Sequence, residues 1–123
     1  MDGRARAARG AIGEAAAERL LVSAGMRLVE RDVRLPEGQI DLVMLDLDCL
    51  VVVEVKARRT GAFGTPEEAV DGRKLRRLRR LALAYWIRHR DLARGVRVDV
   101  VAVSIRADGE AGVAVHLENV LAE

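Results

Sequence analysis

A single α/β domain, with a mixed β-sheet flanked by helices, is the fold class the sequence predicts. Three observations carry that prediction. The periodic segments run in the order αβββαββ, with strands clustered between two helices. The chain has 123 residues, the length of one domain able to bury a real core, and 50% of them are hydrophobic. Turn-forming residues fall between the periodic segments rather than inside them.

Each element has its own reason. Ile12, Ala16, Leu20 and Ala24 recur at helical spacing, so residues 10–24 read as a helix stopped by Gly25. Residues 1–9 read as a flexible segment and 10–123 as the domain. Met26 to Arg34 reads as a strand, and Pro36-Glu37-Gly38 as a turn. Gln39 to Leu45 and Leu50 to Ala57 are β-rich runs joined by a hairpin turn at Asp46-Leu47-Asp48. Residues 58–65 read as a loop. Thr65 can cap a helix with Pro66 at its first position and Glu68 three residues after the cap. That helix can break at Asp71-Gly72 and resume to about Arg90, with Leu75, Leu78, Ala82 and Tyr85 as its apolar stripe. Arg97 to Ile105 and Val113 to Leu117 complete five strands, separated by a turn at Asp108-Gly109.

Composition excludes several classes. The one cysteine, Cys49, can form neither an internal disulfide nor a zinc cage, and reads as a small buried side chain. No apolar run could span a membrane, and no apolar stretch follows the basic N-terminus, so a cytoplasmic protein without membrane partners is expected. Phe63, Tyr85 and Trp86 are the only aromatics, too few for a single-strand stacking platform. His89 and His116 lack metal-ligand spacing. Net charge is only +2, yet Arg73, Lys74, Arg76, Arg77, Arg79 and Arg80 crowd one stretch, a local positive surface suited to phosphate backbones. Of 21 basic residues only Lys56 and Lys74 are lysines, and both fall inside the motifs below.

The chemistry concentrates in the hairpin. Strand alternation puts Leu50, Val52, Glu54 and Lys56 on one face and Val51, Val53 and Val55 on the other. If Leu47-Asp48 is a two-residue turn, Asp41 stands opposite Glu54, with Cβ atoms about 4.5–5.5 Å apart. Two carboxylates that close repel unless one is protonated or a cation lies between them. A hard ion such as Mg²⁺ takes such oxygen ligands, and Lys56 lies two residues along the same face. This assembly suits metal-assisted phosphodiester hydrolysis. A structural ion-pair cluster at a sheet end is the competing reading, and the pattern leaves both open.

Taken in order, Gly10-Ala11-Ile12-Gly13-Glu14, Gly38-Gln39-Ile40-Asp41-Leu42-Val43, Val53-Glu54-Val55-Lys56-Ala57-Arg58, Phe63-Gly64-Thr65-Pro66-Glu67-Glu68-Ala69-Val70 with Lys74, and Arg97-Val98-Asp99-Val100-Val101 span nearly the whole chain. The chain resembles the YraN-like family of uncharacterised proteins, which is similar to restriction-endonuclease-like PD-(D/E)xK nucleases, Holliday-junction resolvases included. The resemblance implies a restriction-endonuclease-like fold and a Mg²⁺- or Mn²⁺-dependent endonuclease. Asp41 and Glu54 would be metal ligands, with the Val55 carbonyl a third. Lys56 would be the catalytic lysine and Glu14 an additional acid. Three residues depart from the family pattern: Gln39 stands where Glu is usual, Asp32 where Asn is common, and Val98 where Phe is common. The loss of an acid at Gln39 motivates the alternative, a catalytically silent nucleic-acid-binding module on the same fold.

The expected partner is therefore nucleic acid, DNA above all. Arg58, Arg59, Lys74, Arg73, Arg76, Arg77 and Arg80 are the expected phosphate contacts, with Lys74 also able to reach the acidic site. A solvated helix face is the competing reading of the arginine run. Asp99 is expected to form a structural pair with Arg97. A homodimer would follow from the likeness to resolvases, which cut two strands symmetrically; no seam for it is legible.

Overall fold

The computed structural model describes residues 3–59 and 71–122, and of residues 3–6 the backbone alone. Its elements are α1 (Gly3–Ser23), β1 (Arg27–Leu35), β2 (Gly38–Asp46), β3 (Cys49–Arg59), α2 (Gly72–Arg88), β4 (Gly95–Ile105) and β5 (Ala111–Leu117). The predicted order holds. The strands form one five-stranded sheet in the order β1-β2-β3-β4-β5. Neighbours are antiparallel except β3 and β4, which run parallel and are connected through α2. This mixed sheet flanked by two helices is the architecture expected of a restriction-endonuclease-like domain.

The central strand explains the fold's two layers. Leu50 and Val52 pack with Leu78, Leu81 and Tyr85 of α2. Val51 and Val53 pack with Ala17 and Leu21 of α1. β3 is therefore apolar on both faces, as a buried parallel strand must be, and each face carries one helix. The hairpin register is the one a two-residue turn dictates: Asp46 pairs with Cys49 and Leu42 with Val53. Leu47 at the turn has φ 53, which fits a primed hairpin turn. Cys49 is half-buried, and burial above all raises its thiol pKa, so it is a packing residue rather than a nucleophile.

Two boundaries near the site differ from expectation. α1 begins at Gly3 rather than Gly10, so the segment expected as a flexible leader contributes helical backbone. Arg4 to Arg9 holds only Arg and Ala, both strong helix formers, with no breaker before Gly10. Its C-terminal stop is as predicted: Gly25 has φ 99 and the Met26 N–H donates to the Leu21 carbonyl, closing the last turn. β3 continues through Arg58 and Arg59, which pair with Ser104 and Ile105, so these two arginines are strand rather than loop. At the expected break, α2 starts at Gly72, capped by Asp71, whose side chain accepts from the Lys74 N–H at 2.9 Å. The expected cap at Thr65, with Pro66 and Glu68, lies outside the described residues, as do Phe63 and the rest of its motif. No helix among the described residues is long and apolar enough to cross a membrane.

Gly13 sets the distance between α1 and the sheet. A Cβ there would stand 2.8 Å from the Ala57 Cβ and 3.6 Å from Val55 Cγ1. The helix thus rests directly on β3, one residue before Glu14. Gly13→Ala is expected to push the helix outward and cost about 1–3 kcal/mol, a drop readable in thermal melts. The helix propensity gained, about 1 kcal/mol, is too small to offset a clash with a Cβ that has no rotamer to move to.

Candidate active site

The site forms where the β2–β3 ladder ends. Beyond the Leu42–Val53 pair, the Val55 N–H donates to Asp41 Oδ2 at 2.8 Å. A side-chain carboxylate thus takes the place of a ladder carbonyl. The pleat slips at the same point. Ile40 and Val43 both join the core under α2, although strict alternation would send them to opposite faces. Leu42 joins the core under α1. On the neighbouring strand the β1–β2 pairing passes from Arg31–Leu42 to Val33–Ile40, and Asp32 between them has φ 51. Two strands deform together, and Asp41 is turned toward α1.

This changes the predicted geometry. Asp41 and Glu54 were expected to converge from one face of the hairpin. The register holds as far as Leu42–Val53, but the ladder ends there and the slip takes Asp41 off that face. It lies within hydrogen-bonding reach of Glu14 on α1 and of Glu54 on β3. The three acids form a chain through the end of the sheet, Glu14–Asp41–Glu54. Lys56 borders a cleft of about 310 Å³ with Glu14, Asp41, Val55 and Arg9. A wider cleft of about 580 Å³ adjoins it across Glu14 and Asp41, walled by Arg19, Arg31, Arg34, Asp32 and Gln39. The Val55 N–H is committed to Asp41, which fixes the strand end that carries Glu54 and Lys56.

Electrostatics follow from the crowding. Burial pushes Asp41 up to about 7, with Glu54 and Glu14 adding to the rise and the Val55 N–H opposing it. Burial likewise raises Glu14, partly offset by its hydrogen bond with Asp41. Glu54 has a different environment: its Oε2 lies 3.0 Å from Arg77 Nη2 and 3.4 Å from Lys74 Nζ. Lys74 therefore reaches the acidic site, one of the two roles expected of it. Arg77 was expected on the outer face among the phosphate contacts; instead it turns inward onto Glu54. It is one helical turn from Lys74, so the two side chains share a side of α2, a signal the charge run itself obscured. Arg73, Arg76 and Arg80 are exposed.

The two polar departures meet. Gln39 Nε2 donates to Asp32 Oδ1 at 2.5 Å. An amide and an acid thus stand together at the mouth of the wider cleft. Asp32 also faces Glu14 closely enough to raise its pKa. A carboxylate therefore stands beside Gln39 and near Glu14.

All-oxygen donors of this kind suit a hard divalent cation. Among the described residues, no three His, Cys, Asp or Glu side chains are already arranged to hold a metal ion. Glu54 Oε2 is held by Arg77 and Lys74 of α2. The donor chemistry fits a metal, with Asp41, Glu54 and Glu14 as the residues that would hold it.

A family model described as an uncharacterised protein family, UPF0102, matches residues 13–103, which include every acid of the site. A UPF0102 protein of Moorella thermoacetica is 52% identical over 112 residues, 89% of this chain and 92% of that protein. One of Beutenbergia cavernae is 50% identical over 117 residues, 95% and 98% of the two chains. One of Paenarthrobacter aurescens is 47% identical over 100 residues, 81% and 83% of the two.

Proposed function

This chain belongs to the uncharacterised protein family UPF0102, and we propose that it is a nucleic-acid-binding, divalent-metal-dependent endonuclease that hydrolyses DNA phosphodiester bonds, branched or damaged DNA being the favoured substrates. One observation carries the reading. Asp41 is seated on the Val55 N–H between Glu14 and Glu54, in a cleft that Lys56 borders. Burying acids side by side is costly, and a site that binds a cation is what repays it.

The residues divide the work. A Mg²⁺ or Mn²⁺ ion, when bound, would supply an activated water and stabilise the charge of the transition state. Asp41, Glu54 and Glu14 would hold it. Lys56 is a compact, mobile charge, suited to orienting the attacking water or to neutralising the scissile phosphate. Arg73, Arg76 and Arg80 present an exposed row on α2 for the backbone, and Arg58 and Arg59 extend β3 just past the motif.

The test is a cleavage panel of duplex, nicked, flapped and four-way DNA with Mg²⁺ or Mn²⁺. Lys56→Ala is expected to lower the rate by about 100-fold or more while leaving binding intact. Cleavage by Lys56→Ala equal to that of the unaltered protein would sink the assignment. The second reading, a silent binding module, draws on the ion pairs with Lys74 and Arg77 that occupy Glu54 Oε2. It requires salt-dependent affinity with no cleavage under any metal.

A further inference from the structure

One oxygen of Glu54 holds two cations from α2. Arg77 Nη2 is 3.0 Å and Lys74 Nζ 3.4 Å from the same Oε2. The Glu54 side chain is only 14% exposed, so its charge needs compensation, and α2 supplies it. Glu54 is also in contact with Asp41, and beyond it stands Glu14 of α1, the helix on the other face of the sheet from α2. A cation shared by Asp41 and Glu54 would be placed close to Arg77 and Lys74, where like charges repel. Glu54 can offer a metal its whole carboxylate only when α2 releases Oε2, and that release strands two positive side chains.

Their positions say what would take them. The Arg77 side chain is 41% exposed, against 20% for Lys74. It stands beside the exposed row of Arg73, Arg76 and Arg80, where a polyanionic backbone would lie. A guanidinium binds phosphate and carboxylate by the same paired donors, so exchanging one anion for the other keeps it satisfied.

The geometry points to Arg77 and Lys74 as positioning residues that form a latch on Glu54: the phosphates of a bound nucleic-acid backbone draw both cations off, and the freed Glu54 joins Asp41 in holding the divalent ion. This inference rests on the nuclease reading of the same site. Its consequence is reciprocal coupling. Nucleic acid tightens metal binding, and metal tightens nucleic-acid binding by the same factor.

The test reads metal binding rather than activity. Mn²⁺ affinity is measured by electron paramagnetic resonance on the full chain, in a Lys56→Ala background that blocks turnover, with Asp41→Ala subtracted for ions held by DNA. A short DNA duplex is expected to tighten Mn²⁺ binding roughly tenfold, and a duplex with neutral methylphosphonate linkages to leave it unchanged. Arg77→Gln is expected to tighten Mn²⁺ in the free protein by a similar factor and to remove most of the response to duplex. Arg77→Lys keeps the charge and is expected to keep the coupling. Unchanged or weaker Mn²⁺ affinity in free Arg77→Gln overturns the latch, as does a duplex without effect on the parent protein. Those results, with Mn²⁺ still lost in Asp41→Ala, leave the metal site standing. Mn²⁺ binding that is absent or indifferent to Asp41→Ala overturns both.

Discussion

Asp41→Asn is expected to stabilise the metal-free protein at pH 8 while abolishing its response to divalent metal. Burial, with Glu54 and Glu14 beside it, holds the Asp41 carboxyl at about 7, against 3.8 for an unperturbed aspartate. Between those two values the native state keeps a proton that the unfolded chain has released, so stability from this group falls as pH rises through the window. Above pH 7 the full penalty is present, on the order of 2–4 kcal/mol, and toward the lower end because the cleft is open to solvent. Glu14 acts in the same sense, since its pKa is also raised. Asparagine removes the charge yet retains an oxygen for the Val55 N–H. Thermal melts in a chelator should show Asp41→Asn above the parent protein by about 8 °C at pH 8 and level with it near pH 4. With Mn²⁺ the parent should gain stability and the variant should not. A variant that melts lower at pH 8 would contradict the crowding of acids at the site.

Asp99→Ala is expected to be the most destabilising single change in the sheet, at about 3–5 kcal/mol, without bearing on the acids of the cleft. Asp99 is the one charged or polar residue that is fully buried among the described residues, at 0% exposure. Its carboxylate accepts from Arg97 Nε at 3.0 Å and Nη2 at 3.3 Å, lies 2.7 Å from His116 Nε2, and accepts from the Asn119 N–H at 2.9 Å. It thereby ties β4, β5 and the segment after β5 together. Burial opposes the Arg97 charge, but Asp99 and Asp46 outweigh it and raise the pKa. Removing Asp99 leaves Arg97 with Asp46 and Glu118 alone, and strands His116 and the Asn119 N–H. Against the 5–15 kcal/mol of a typical domain, that loss should lower the melting temperature by more than about 10 °C. Asp99→Asn, which keeps an acceptor for Asn119, should lose distinctly less. A melting temperature within about 2 °C of the parent for Asp99→Ala would refute the load placed on this carboxylate.

The Arg97–Asp99 pair was legible because residues two apart in a strand share a face. The third partner, His116, was not, because it comes from β5 and meets Asp99 only once the β4–β5 register is set. The same contrast runs through the candidate site. Glu54 opposite the Asp41 end of β2 follows from the turn length, since a two-residue turn fixes every pair up to Leu42–Val53. That Asp41 then leaves the shared face depends on a slip in β2 matched by the positive φ of Asp32 in β1. Local periodicity does not encode such a slip. Gln39 by itself reads as a lost acid; beside Asp32 it is half of an amide–acid pair.

By itself, then, the sequence determined the αβββαββ order, the hairpin register, the two-sided burial of β3 and the residues from which a site would be built. These are consequences of periodicity and turn chemistry, which act over a few residues. Only the tertiary structure decided where the side chains face: Glu14 onto Asp41 because Gly13 lets α1 rest on β3, and Arg77 and Lys74 onto Glu54 because α2 covers the other face of the sheet. The physical reason is one of range. Backbone pairing is set between neighbours in the chain, whereas a charge chooses its partner among groups that only packing brings within a few ångströms.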